Sequence, residues 1–174
     1  SETVIGEGPV SVAAAAIDLA RGVHGDLDRL SCLMIGTGEM GELLAEALRD
    51  AGLGRLFVTD TRAERAEAAA RALGCHTLPL EGLADDATRA DIILGCLGSR
   101  TPVVTTDMAR AALRKRRNRP IVCVDTAVPG DIDHGDACRT LAAPELLDDV
   151  QTVLLGRAAD SGVAHQTDPL DRLD

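Results

Sequence analysis

Apolar residues along the chain fall into two rhythms that take turns. Short runs, apolar on both faces, alternate with longer stretches at helical spacing. Leu30-Ser31-Cys32-Leu33-Met34-Ile35 is the first run and stops at glycine, as a buried parallel strand does. Arg55 to Asp60, Asp91 to Cys96 and Pro120 to Asp125 repeat the pattern, and Cys75 to Pro79 is a shorter candidate. Between them lie helical stretches: Met40, Leu43, Leu44, Ala47 and Leu48 up to Gly52 or Gly54; Ala63 to Leu73, closed by Gly74; a weaker one at Leu83 to Arg89. A further one runs through Met108, Ala109, Ala112 and Leu113, capped by Thr105 or Thr106. At the start, Ser11 is expected to cap a helix through Arg21, ended by Gly22 and Gly25. Near the end, Cys138 to Leu141 is expected as a sixth strand, and Pro144 is expected to open a helix from Glu145 to about Leu155.

Strands that alternate with helices require a parallel sheet with right-handed crossovers. The expected fold is therefore α/β and doubly wound (Rossmann-type), a mostly parallel sheet with helices on both faces. Its expected parts are a linking helix in 1–29, a dinucleotide-binding domain in 30–157 and a polar tail in 158–174. With 174 residues there is room for one such core. Phe57 is the single Phe, Tyr or Trp residue, so Ala, Val, Ile and Leu must fill the interior, and its isolation argues against stacking platforms for single-stranded nucleic acid.

The formal charge of −10, from 18 basic and 28 acidic residues, disfavours phosphate backbones and anionic lipid as partners. The local exception, Arg114 to Arg119, is expected to be a solvated helix C-terminus, with an acidic docking partner as the alternative. No apolar run reaches the length of a membrane span. Five scattered cysteines without a CxxC pair fit reduced thiols in a cytoplasmic protein.

Chemistry concentrates at one loop. Gly36-Thr37-Gly38-Glu39-Met40-Gly41 matches G-x-G-x-x-G between a strand and a helix, and Asp60 ends the next strand 19 residues beyond Gly41. In that context Gly36 serves the tight turn, Gly38 the approach of a pyrophosphate and Gly41 the packing of helix on strand. The amides at the helix start face the anion. Asp60 suits a ribose 2′-hydroxyl, hence NAD; Thr61 and Arg62 suit a 2′-phosphate, hence NADP; Asp60 could equally cap the helix that follows. Cys96, Gly98 and Ser99 after the fourth strand, and Ala127 and Val128 after the fifth, are expected to border the nicotinamide end. Cys96 is expected as a small apolar wall there, not as a nucleophile. Asp131, Asp133, His134 and Asp136 are expected to form a solvated turn, with a divalent-cation site as the alternative. Asp125 is expected to cap a loop.

Together these residues resemble the NADPH-binding domain of glutamyl-tRNA reductase. Ile35 to Glu42 is similar to the family's I-G-x-G-E-M-G-E loop, Glu64-Arg65-Ala66 to the opening of its second helix, and Asp91-Ile92-Ile93 with Gly98-Ser99 to its fourth strand and loop. Asp125 to Asp133 resembles its D-x-A-V-P-R-D-I-D, with Gly130 where arginine is usual. The family carries Asn-Arg-Thr where this chain has Asp60-Thr61-Arg62.

The resemblance implies an NADPH-dependent oxidoreductase of tetrapyrrole (porphyrin) biosynthesis that reduces glutamyl-tRNA to glutamate-1-semialdehyde. A nucleophilic cysteine and the dimer helices would come from domains or a partner chain not represented in these residues, so no catalytic residue is assigned here, and direct nucleic-acid binding by this chain is not expected. Two other readings stand beside it: a stand-alone regulatory module that binds dinucleotide without turnover, and a dehydrogenase of a small tetrapyrrole precursor or hydroxy acid with Asp125 as its acid or base. A shikimate-dehydrogenase-like enzyme would need a catalytic Lys–Asp pair, and the single lysine, Lys115, sits in the basic run.

Overall fold

In the computed structural model, residues 9–127, 130–133, 138–140 and 151–155 are described. The strands are β1 (Ser31–Ile35), β2 (Arg55–Thr59), β3 (His76–Thr77), β4 (Ile92–Gly95), β5 (Ile121–Asp125), β6 (Cys138–Thr140) and β7 (Gln151–Leu155). They form one sheet in the order β3-β2-β1-β4-β5-β7-β6. The first five are parallel, while β7 runs antiparallel to β5 and to β6. Strand order reverses between β1 and β4, which are direct neighbours, and a crevice opens at such a point beyond the carboxyl ends of the strands.

The helices are α1 (Pro9–His24), α2 (Glu39–Asp50), α3 (Ala63–Leu73), α4 (Leu83–Arg89) and α5 (Thr106–Lys115). Period-two alternation in the central strands decides which helix packs where. Cys32, Met34, Ile92, Leu94, Val122 and Val124 face α1, α2 and α3. Leu33, Ile35, Ile93, Ile121 and Cys123 face α4 and α5. Both faces being covered, these strands read as continuous apolar runs. The helices meet them largely through alanine: Ala16 and Ala20 of α1, Ala66 and Ala69 of α3, Ala109 and Ala112 of α5 are all buried. Small side chains let the layers approach closely without aromatic filling. No helix among the described residues is long and apolar enough to cross a membrane.

Three sequence expectations change here. Helix α1 opens at Pro9 and runs through Gly22 to His24, so Ser11 lies inside it and is no cap. Proline is well suited to the first helical position, and termination waits for Gly25 at φ +85°. The helix expected to reach Leu155 is not present at 151–155, where β7 pairs residue by residue with β5, Gln151 with Asp125 through Leu155 with Ile121. The fully buried β5 would otherwise be a sheet edge, and β-branched Thr152 and Val153 suit a strand covering it. The basic run is not simply solvated either. The Arg116 side chain is 5% exposed and pairs with Asp91 at 3.0 Å. Its guanidinium also donates to the carbonyls of Thr88 and Pro120. Residues 158–174, His134 and Asp136 lie outside the described residues, as does the segment expected to open the last helix.

His24 closes the end of α1 over the start of β4, its Nε2–H donating to the Asp91 carbonyl at 3.2 Å. Burial holds its imidazole below the ordinary value of 6.5, against the pull of the Asp91 charge. A depressed folded value means that the contribution to stability is full above 6.5 and is lost as pH falls through the folded value. Chemical denaturation at pH 7.5 and pH 5 is expected to show a stability loss on acidification that is smaller in His24→Gln.

Candidate functional site

The glycine loop lies at the carboxyl end of β1, where the crevice opens. Its entry is fixed by backbone geometry: the Gly36 amide donates to the Thr59 carbonyl at 2.8 Å, and Gly36 sits at φ +93°. A Cβ there would strike the backbone of Leu97, so the position excludes every side chain on two counts. Helix α2 begins at Glu39 with Gly38 as its N-cap and no side chain capping it. Its first-turn amides therefore remain open to an acceptor from outside, where the helix dipole favours an anion.

Cys96 lies beneath this turn. Its Sγ–H donates to the Gly36 carbonyl at 3.2 Å. A Cβ on Gly41 would run into Cys96 Sγ and come within 2.8 Å of its Cβ, while one on Gly38 would lie 2.9 Å from the Cys96 carbonyl. The second and third glycines are thus small because Cys96 occupies the space against them. Burial pushes the Cys96 thiol up to about 12, so it is no thiolate near neutrality and cannot serve as a nucleophile.

One cleft, with a volume near 350 Å³, is lined by Thr37, Gly38, Cys96, Leu97, Gly98 and Ser99 on one side and Asp60, Thr61, Arg62 and Arg65 on the other. Asp60 is 8% exposed and turned inward. Its Oδ1 accepts from the Arg62 amide at 2.9 Å and the Thr61 hydroxyl at 3.3 Å, and its Oδ2 accepts from the Thr37 hydroxyl at 3.1 Å. The carboxylate thus ties the glycine loop to the β2–α3 turn. Arg62 and Arg65, three apart at the start of α3, are exposed in the same cleft, and neither side chain forms an ion pair among the described residues.

Of the residues singled out in the sequence, Gly36 and Gly41 lie beneath this cleft. Exposed Glu39 and half-buried Met40 begin α2 without lining it. Ala127 follows β5, its amide held by Asp125 Oδ1 at 3.1 Å, also outside the lining. Val128 lies outside the described residues.

Sequence reasoning missed Arg65, Leu97 and, above all, Asp131. That residue is fully buried, not part of a solvated turn. Its Oδ2 accepts from the amides of Leu97 at 2.6 Å and Gly98 at 3.3 Å, and its Oδ1 from that of Ser99 at 3.0 Å. Its carbonyl accepts from Val103 and Val104. One side chain from beyond β5 therefore fixes the whole loop after β4. Among the described residues no cluster of ligands could hold a metal ion. Asp125, 2% exposed, accepts from the Ile132 amide at 2.9 Å and caps the same segment, as expected. Burial drives its carboxyl above the usual range, opposed by the amides of Ile132 and Ala127. The Lys115–Asp85 pair is 3.6 Å apart and exposed, at the opposite end of the sheet from the cleft, so it cannot act there.

Comparison with known proteins agrees with this arrangement. A family model described as Shikimate / quinate 5-dehydrogenase matches residues 18–153. The glutamyl-tRNA reductase of Magnetococcus marinus is 46% identical over 133 residues, which is 76% of this chain and 32% of that protein. That of Myxococcus xanthus is 39% identical over 159 residues, 91% of this chain and 36% of that protein. Glutamyl-tRNA reductase from Methanopyrus kandleri superposes with a TM-score of 0.67 at 35% identity, over 83% of this chain and 36% of that one. The chain therefore spans about a third of the length of these relatives. The nucleotide binding domain of the Thermoplasma volcanium enzyme shares the fold, with a TM-score of 0.58 at 16% identity over 72% of this chain and 81% of that one. By these matches the chain belongs to the shikimate / quinate 5-dehydrogenase family, and it is a nicotinamide-dinucleotide-binding domain of a glutamyl-tRNA reductase-like protein.

Proposed function

We propose that this domain holds NADP(H) for a reductase that converts glutamyl-tRNA to glutamate-1-semialdehyde, with the remaining two thirds of the enzyme supplying the acyl-accepting cysteine and the dimer contacts. In this reading 30–157 is the dinucleotide-binding domain, 1–29 a linking helix packed on it and 158–174 a polar tail. The observation that carries the reading is the uncapped start of α2 over a glycine turn at the β1/β4 switch point. That geometry fits a pyrophosphate, because no side chain competes for the open amides and none can intrude at Gly36 or Gly38.

The choice between the two dinucleotides follows from the rim. Both Asp60 oxygens already accept hydrogen bonds within the turn, so the carboxylate offers little to a ribose 2′-hydroxyl. Arg62 and Arg65 beside it form no ion pair among the described residues and suit a 2′-phosphate. A bound nicotinamide supplies a hydride; this chain's part is to position the ring and exclude water. Leu97, Gly98 and Ser99, pinned by Asp131, form the wall on the β4 side. The acceptor for that hydride is a thioester formed on a cysteine of another domain, since Cys96 is buried and protonated. Cys32, Cys96 and Cys123 are buried and form no disulfide among the described residues, which suits a reducing, cytoplasmic setting.

A domain exchange tests this. Residues 18–153 placed in the corresponding segment of the Magnetococcus marinus enzyme are expected to support NADPH-dependent formation of glutamate-1-semialdehyde. A chimera that folds and binds NADPH but yields no aldehyde from glutamyl-tRNA contradicts the proposed reaction.

A further inference from the structure

The end of the sheet opposite the glycine loop carries a second concavity that the reductase reading does not use. Ser31 of β1 and Arg55 of β2 are register partners there, and two residues along, Leu33 pairs with Phe57. Side chains two apart on a strand share a face, so an apolar pair lies directly behind a polar one. Leu78, Ala90, Asp86 and Arg89 complete the walls of a cavity of about 180 Å³. That space is large enough for the apolar body of a small molecule. Phe57, the only aromatic side chain in the protein, is half-buried over it.

An adjoining cavity shares Ser31, Arg55 and Arg89 with the first. It is lined by the cations Arg29, Arg55, Arg89, Lys115, Arg116 and Arg119 against one carboxylate, Asp91. In a chain of net charge −10 this is a local reversal of sign. Asp91 is already engaged by Arg116 and Arg119, and Lys115 by Asp85. Arg29, Arg55 and Arg89 form no close ion pair among the described residues, although the Asp86 carboxylate on the wall of the first cavity lies near enough to Arg89 for their charges to attract. Helix dipoles account for the cations that end α4 and α5, but Arg55 opens a strand and has no such reason to be there.

We infer that this is a second ligand site, for a small carboxylate with an apolar body: the body against Leu33 and Phe57, the carboxylate on the guanidinium groups of Arg55 and Arg89. Two exposed arginines beside an apolar floor suit such a molecule, because a planar guanidinium takes both carboxylate oxygens while the floor takes the hydrocarbon.

The probe is benzoate, titrated into the 15N-labelled chain and followed by amide shifts. Saturable shifts are expected at residues 33, 55–57 and 86–90, with a dissociation constant on the order of a millimolar, as befits nine heavy atoms. Benzyl alcohol, of the same shape without the charge, is expected to bind at least tenfold more weakly. The double variant Arg55→Ala/Arg89→Ala is expected to lose at least tenfold in benzoate affinity with its circular dichroism unchanged. Both side chains are exposed, so this variant reports on binding and not on folding. Three results would overturn the site: no saturable shift at these residues, equal binding of the alcohol, or benzoate affinity unchanged in the double variant. Shifts confined to residues 36–41 would also overturn it, by placing benzoate in the glycine cleft.

Discussion

Asp131→Ala is expected to lower NADPH affinity more than tenfold and to destabilise the fold by about 3 kcal/mol, although Asp131 is fully buried and does not line the glycine-loop cleft. The carboxylate collects three consecutive backbone amides, those of Leu97, Gly98 and Ser99. Removing it leaves those donors partnerless, at a cost of about 1–3 kcal/mol for each that cannot reach water. The loop lies at the surface, so some of its amides regain water and the total stays well below three full penalties. What does not recover is the loop's position, and Gly98 and Ser99 face the cleft. Asp131→Asn keeps one acceptor oxygen and is expected to fall between the wild type and the alanine variant in both readouts. Urea denaturation and NADPH titration on the same samples check this. An alanine variant with wild-type affinity would show that the loop holds its shape without Asp131.

Gly41→Ala is expected to cost about 3 kcal/mol, the upper part of the range for overpacking a well-filled interior. Alanine normally favours a helix over glycine, so the sign depends on tertiary contact alone. The added methyl would overlap Cys96 Sγ and crowd its Cβ at 2.8 Å. The partner is identifiable, and the prediction therefore extends to a cycle. Cys96→Ala removes the sulfur but keeps the Cβ contact, so it relieves the Gly41→Ala penalty in part. Cys96→Gly removes both contacts, so the coupling between Gly41→Ala and Cys96→Gly is expected to be larger still. Coupling close to zero in both pairs would mean that the helix shifts to accommodate the methyl and that Gly41 is not set by Cys96.

The same pair of residues shows how far the sequence could be read. The spacing of Gly36, Gly38 and Gly41 after an apolar run identifies the loop and its place between strand and helix, because local chemistry determines it. Four of the five parallel strands, β1, β2, β4 and β5, are legible for a similar reason: a strand covered on both faces leaves a largely apolar run bounded by glycine or proline. The identity of what lies against Gly41 is not legible, since Cys96 is 55 residues away and meets it only once β1 and β4 are neighbours. Asp131 illustrates the limit more sharply. In a run with Asp133, His134 and Asp136 its polarity suggests a solvated turn, and only the return of the chain beside the β4 loop makes it an interior acceptor. Asp91 and Arg116 behave likewise, two charges at separate helix and strand ends that burial turns into one contact. At 151–155 the leucines favoured a helix in isolation, whereas the open edge of β5 selects a strand. Arg65 carried a usable signal: it lies three residues beyond Arg62 at the start of α3, on the same helical face.

The most direct test of the account is a fluorescence titration of the chain with NADPH and with NADH. The protein contains neither Trp nor Tyr, so the cofactor signal is read without interference. Saturable NADPH binding is expected, at least tenfold tighter than that of NADH, with the preference lost in Arg62→Ala/Arg65→Ala. Saturable binding of neither dinucleotide would contradict the claim that the glycine cleft is a cofactor site, and tighter NADH binding that survives the double variant would contradict the assignment of the rim to a 2′-phosphate.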